Sequence, residues 1–136
     1  MDDATRTRAE EELTSELRDG VLWLTINRPD ASNSIPFYVR DRLIEHFRDA
    51  HTDLAVRCIV LTAAGERHFC TGSDLRVRPP MPPKPEGAPE FVAGSAVNMM
   101  RTGFPQVMER IQDLQKPIIV ALTGTEARGG AAVKRA

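Results

Sequence analysis

The chain has 136 residues, 41% hydrophobic and 27% charged, with a formal net charge of −1 at pH 7, which is the composition of one globular domain with a real core. The balanced charge and few, scattered aromatics disfavour a nucleic-acid or membrane-surface partner, no apolar run approaches the roughly 20 residues that cross a bilayer, and Met1-Asp2-Asp3-Ala4-Thr5-Arg6 has no signal-peptide character. Its two cysteines, Cys58 and Cys70, lie in no C-x-x-C spacing that would suggest zinc or redox chemistry, so free, reduced thiols are expected, in a cytoplasmic protein.

In chain order, Glu11 to Arg18 is predicted as a polar edge strand, Asp19-Gly20 as a tight turn and Val21 to Ile26 as a strand buried on both faces, together a hairpin. Arg28-Pro29-Asp30 breaks the run, and Ser34 is placed to cap a helix beginning near Pro36, whose missing amide hydrogen costs nothing in a first helical turn. From Phe37 to about Ala50, Phe37, Arg40, Leu43, Ile44 and Phe47 recur at helical spacing, with Arg42, Glu45 and Arg48 opposite. His46 and His51 are expected to face solvent, without a third ligand that would suggest metal. Val56 to Thr62 is a β-branched core strand, so the first half reads β-β-α-β.

The stretch His68-Phe69-Cys70-Thr71-Gly72-Ser73-Asp74-Leu75 reads as a strand ending in a glycine turn. Glycine tolerates unusual dihedrals and close approach of a ligand to the main chain, so the Ser73 amide is a candidate to face a substrate. The plainer alternative is a β-to-loop turn in which Asp74 caps local amides. A triad of His68, Ser73 and Asp74 is disfavoured, because three residues of one short loop do not readily reach nucleophile, base and orienter geometry, and no G-x-S-x-G elbow is present. From Arg76 to about residue 90, six prolines (Pro79, Pro80, Pro82, Pro83, Pro85, Pro89) predict an extended surface loop. Its Arg76-Val77-Arg78-Pro79-Pro80-Met81-Pro82 run also fits a basic polyproline ligand. Val97, Met100, Phe104, Val107, Met108, Ile111 and Leu114 then predict two helical pieces bent at Gly103 and Pro105. Lys116-Pro117 ends the second piece, and Ile118 to Leu122 is expected as another buried strand. Gly129-Gly130 follows as a second place where an amide is free to face a ligand; two amides aimed at one point make an oxyanion hole.

Taken together, Thr25-Ile26-Asn27-Arg28-Pro29, Asn33-Ser34-Ile35, Arg57 to Thr62, Phe69-Cys70-Thr71-Gly72-Ser73-Asp74-Leu75 and Lys116-Pro117-Ile118-Ile119-Val120-Ala121-Leu122-Thr123-Gly124 resemble the enoyl-CoA hydratase/isomerase (crotonase) family, in order and over nearly the whole chain. The resemblance implies an α/β fold, a spiral of ββα units of which this chain holds the N-terminal part as one partial acyl-CoA-binding domain. It implies an acyl-CoA thioester as partner, no cofactor because CoA is part of the substrate, and an oxyanion hole made by the amides of Ser73 and Gly129. It further implies that Gly72, Ser73, Asp74, Leu75 and Arg76 lie along the CoA moiety with Asn33, Ser34 and Ile35 on the other wall, and that Arg76 or Arg78 meets a CoA phosphate. Met99, Met100 and Met108 are then core or acyl-pocket residues.

The chain also departs from the family pattern. Hydratases of this family carry one glutamate a few residues after the glycine run and a second further on, which together handle the added water. Here Ala132 stands at the first place, the sequence ends before the second, and Arg128 and Glu126 stand among normally small residues. The expectation is a truncated family member that binds acyl-CoA and turns it over poorly, or a non-catalytic remnant or partner subunit. The helices through which the family assembles trimers and hexamers are expected to be absent.

Overall fold

A computed structural model describes residues 2–77, 79, 86–87 and 103–126 of the chain. Its elements are α1 (Asp3–Glu12), β1 (Leu13–Arg18), β2 (Val21–Ile26), a 3-10 turn (Pro29–Ala31), α2 (Phe37–Thr52), β3 (Cys58–Ala63), β4 (His68–Cys70), α3 (Phe104–Asp113), β5 (Ile118–Val120) and β6 (Thr125–Glu126). The hairpin forms as expected: Asp19 (φ 49°) and Gly20 (φ 80°) both take positive φ, the geometry whose twist matches a two-residue connection between antiparallel strands. β2, β3 and β5 then run parallel, giving a four-stranded sheet in the order β1-β2-β3-β5, while β4 and β6 pair in a separate parallel ribbon.

One apolar cluster joins the sheet to the helices. Leu24 and Ile26 of β2 and Ile59, Leu61 and Ala63 of β3 alternate onto the face occupied by Val39, Leu43 and Phe47 of α2 and by Val107 and Ile111 of α3. Lys116, just before β5, donates from Nζ to the carbonyls of Ala50 and Asp53, satisfying acceptors that the end of α2 leaves open.

Several expectations need correction. The residues before β1 form a helix, and the strand starts at Leu13 rather than Glu11. Asp2 caps that helix, its Oδ1 accepting from the Thr5 amide at 2.8 Å. Only Ala9 within α1 is buried, so the apolar periodicity that marks a packed helix is missing from its sequence. β2 is buried on one face, not two: Leu24 and Ile26 are inside, whereas Trp23 is half-buried with the Arg18 guanidinium 5.7 Å from its ring centroid. Ser34 makes no cap bond to α2, which begins at Phe37 after Pro36; its hydroxyl is taken by an ion pair described below. The inward face of α2 is Tyr38, Val39, Leu43, Phe47 and Ala50, so Arg40 lies off the buried stripe and bonds Asp41 instead. β3 starts two residues late because Arg57 still belongs to the turn, its amide donating to the Gly20 carbonyl at 2.7 Å.

His51 is exposed as expected, but His46 is half-buried with Nε2 lacking a partner among the described residues; burial, then the nearby Arg42, lowers its pKa. β5 is a three-residue edge strand rather than a buried one. Ile119 is 55% exposed, because β3 alone pairs with β5 and the sheet face carrying Ile119 is uncovered among the described residues. The second of the two expected helical pieces is α3, entered at Gly103 with φ 89°; the first lies outside the described residues, as do most of the proline-rich stretch and Gly129.

Candidate functional site

The glycine turn after β4 sits directly against the segment that leads into α2. Gly72 takes φ 95°, a conformation that L side chains rarely adopt, and this turns the chain so that Ser73 forms a parallel bridge with Ile35. The two hydrogen bonds of that bridge flank Ser73 and spare it: the Ile35 amide donates to the Gly72 carbonyl at 2.8 Å, and the Asp74 amide donates to the Ile35 carbonyl at 2.9 Å. In a parallel pair the residue between two such bonds turns its own N–H away from the partner strand. Ser73 is exposed, and its amide donates no hydrogen bond among the described residues.

The turn is held from behind by buried polar groups. Asn33, 1% exposed and at φ 52°, accepts at Oδ1 from the Arg28 amide (2.9 Å) and donates from Nδ2 to the carbonyls of Ala64 (2.9 Å) and His68 (2.6 Å). It thereby ties the end of β2 to both ends of the β3–β4 connection. The Arg28 guanidinium donates to Asp74 Oδ2 at 3.1–3.2 Å and to the Ser34 carbonyl, and pairs through Nε with Glu12 Oε2 at 2.6 Å. Asp74 uses its second oxygen as well, Oδ1 accepting from the amide and Nε of Arg76 at 3.1 and 3.2 Å. Burial pushes the Asp74 carboxyl up, but the hydrogen bonds from Arg76 and Arg28 outweigh it and hold the pKa at about 2. With both oxygens occupied and the proton held off, Asp74 is a structural anion rather than a proton donor.

In front of the turn lies an open depression of about 400 Å³ lined by Asp30, Ala31, Ser32, Ser34, Thr71, Ser73, Asp74, Leu75 and Arg76. Of the residues picked out from sequence, Ser34, Ser73, Asp74, Leu75 and Arg76 therefore come together on one surface. Asn33, Ile35 and Gly72 do not: all three are buried, and they support the wall from within instead of forming it. Leu75 is 81% exposed, an apolar side chain standing in the open mouth of the depression. Gly129 lies outside the described residues. Sequence reasoning missed Arg28 and Glu12, whose burial depends on a helix that the sequence did not announce, and Thr71, whose hydroxyl donates to the Ser32 carbonyl across the depression at 3.1 Å. The single available signal was an arginine beside a proline at the end of an apolar strand.

Solved structures share this architecture. A probable enoyl-CoA hydratase from Mycobacterium smegmatis matches with a TM-score of 0.73 over 90% of this chain and 45% of its own, at 23% identity. Enoyl-CoA hydratase from Bacillus anthracis matches with a TM-score of 0.69 over 90% of this chain and 44% of its own, at 27% identity. The fold is thus that of the crotonase class, present in part. The family model described as enoyl-CoA hydratase/isomerase matches residues 16–136, and the chain belongs to that family. It is 35% identical to 1,2-epoxyphenylacetyl-CoA isomerase of Escherichia coli over 88% of this chain, and 34% identical to (E)-benzylidenesuccinyl-CoA hydratase of Thauera aromatica over 87%. It spans 42% and 41% of the length of those relatives.

Proposed function

We propose that the depression receives the thioester of an acyl-CoA and that the Ser73 amide is one of the two donors to its carbonyl oxygen, the Gly129 amide being the other. The observation that carries this reading is the Ser73 N–H, left unbonded among the described residues while the Gly72 carbonyl and the Asp74 amide on either side of it are bonded to Ile35. Such a donor is preorganised: no bond has to break before it meets a developing enolate, so it favours the transition state over the ground state. The Ser32 hydroxyl, the Thr71 hydroxyl oxygen as an acceptor and the exposed Arg76 suit the polar length of a CoA ester. The relatives' names, one an isomerase and one a hydratase of CoA thioesters, fit a site whose common element is carbonyl activation.

The 136-residue polypeptide is proposed to bind such esters without efficient hydration. Ala132 has no group with which to move a proton, and general acid–base catalysis is worth about 10²–10⁴ in rate. Calorimetric titration with crotonyl-CoA and a hydration assay on the same preparation test both halves. Saturable binding with turnover at least about a hundredfold below that of an ordinary hydratase is expected. Absence of binding by a cooperatively folded chain overturns the site; hydratase-like turnover overturns the role given to Ala132.

A further inference from the structure

Arg28 belongs to one of the motifs that carry the family resemblance but has no role at the oxyanion site proposed above, and it joins segments far apart in sequence: Glu12 at the end of α1, Ser34 before α2, and Asp74 beyond the glycine turn. Its side chain is 7% exposed and that of Asp74 2%. A buried ion pair of this kind contributes little net stability, because desolvation offsets the attraction; what it does enforce is geometry, since either charge left alone in the interior is costly. The geometry enforced here is specific. Asp74 is the residue whose amide closes the bridge to Ile35, so fixing its carboxylate against Arg28 and the Ser34 hydroxyl (3.3 Å) fixes the peptide plane next to Ser73.

We infer that Arg28 and Asp74 are positioning residues: their buried pair, anchored by Glu12, holds the turn in the orientation that leaves the Ser73 amide facing the depression. This rests on the oxyanion reading of Ser73. Without the pair, the three residues 72–74 retain the flexibility of a glycine turn, and the amide is no longer held free of competing partners. The consequence falls first on recognition of the carbonyl: Arg28 meets Asp74 through Oδ2 and Arg76 meets it through Oδ1, so replacing Arg28 leaves the Arg76 bonds in place, whereas replacing Asp74 loosens Arg76 as well.

The test compares two ligands, crotonyl-CoA and the thioether in which a methylene replaces its carbonyl, by calorimetry on the parent chain, Asp74→Asn and Arg28→Lys. Asparagine retains the shape without the charge, and lysine retains the charge without the planar fork that reaches Asp74 and Ser34 together. The parent is expected to prefer the thioester by about tenfold, the worth of one well-aligned hydrogen bond. Each variant is expected to lose most of that preference; Arg28→Lys is expected to hold the thioether within about threefold of the parent, and Asp74→Asn, which also loosens Arg76, to weaken both ligands while losing the preference. A preference that survives in folded variants overturns the inference alone. Equal loss of both ligands assigns the pair a purely structural role and also overturns it. A parent chain with no preference overturns the oxyanion reading itself, and the inference with it. Should both variants fail to melt cooperatively, Ser34→Ala, which removes the hydroxyl that bonds both Arg28 and Asp74, decides: an unchanged preference sinks the proposal.

Discussion

Replacing Asn33 by alanine removes three hydrogen bonds at once, to the Arg28 amide and to the carbonyls of Ala64 and His68. At a net value of about 1 kcal/mol each, these alone amount to about 3 kcal/mol, and the Arg28 amide is left buried without its acceptor. Alanine must also occupy φ 52°, a left-handed conformation costing about 1 kcal/mol for a residue with a Cβ and no side-chain oxygen to bond locally. The expected loss is therefore about 4 kcal/mol, a large part of the 5–15 kcal/mol or so that a domain possesses, and a fall in Tm on the order of 10 °C. Asn33→Gly separates the two contributions: it loses the same bonds but tolerates the dihedral. Urea denaturation followed by circular dichroism measures both, on condition that the m-value is unchanged. An Asn33→Ala chain whose stability stays within about 1 kcal/mol of the parent would refute the assignment of Asn33 as the pin between β2 and the β3–β4 connection.

Two further outcomes follow from the same structure. Gly124 has φ 105°, and a Cβ built there meets the Arg67 and Glu66 backbone at 2.7 Å. Gly124→Ala should therefore separate β6 from β4, costing about 2–4 kcal/mol and raising amide exchange in His68–Cys70; an unchanged exchange pattern counts against the close approach. Acid should weaken the chain in two stages. The folded state holds the pKa of His46 below its ordinary value and that of Asp74 at about 2, so it binds fewer protons than the unfolded chain as pH falls. The His46 contribution is fully present above the ordinary histidine value of 6.5 and declines below it; that of Asp74 is lost between the ordinary aspartate value of 3.8 and about 2. For Asp74, discounted for screening, this is on the order of 1–2 kcal/mol. Asp74→Asn should flatten the lower stage in a pH series of urea midpoints, and a lower stage unchanged in that variant contradicts the sign.

Much of this architecture was legible because local rules and tertiary demands coincide. Asp19-Gly20 admits the positive dihedrals of a tight hairpin, Leu24/Ile26 and Ile59/Leu61 carry strand alternation, and Leu43 and Phe47 lie one helical turn apart on the buried face of α2. α1 was not legible, since it buries little and is held by contacts that its own sequence does not display: Glu12 to Arg28, the Tyr38 hydroxyl to Glu12 at 2.9 Å, and Arg8 above the Tyr38 ring. Ser34 was misread for a related reason. Its hydroxyl suits a helix cap, but a buried carboxylate 40 positions away makes the stronger claim.

What the sequence determined by itself was the order of the elements from β1 through β3, the glycine turn at Gly72-Ser73 and the family to which the chain belongs, because turn chemistry, periodicity and motif order are properties of short stretches. Only the tertiary structure decided which groups at that turn are spent and which are free. Asn33, Ser34 and Asp74 look alike in sequence as small polar residues suited to bind a ligand, yet Asn33 is wholly committed to backbone groups and Asp74 to Arg28, Ser34 and Arg76. Among the described residues the Ser73 amide stays free because the parallel bridge takes the groups on either side of it, and that requires Ile35 and Gly72, distant in sequence, to be placed together by the packing of α2 against the sheet.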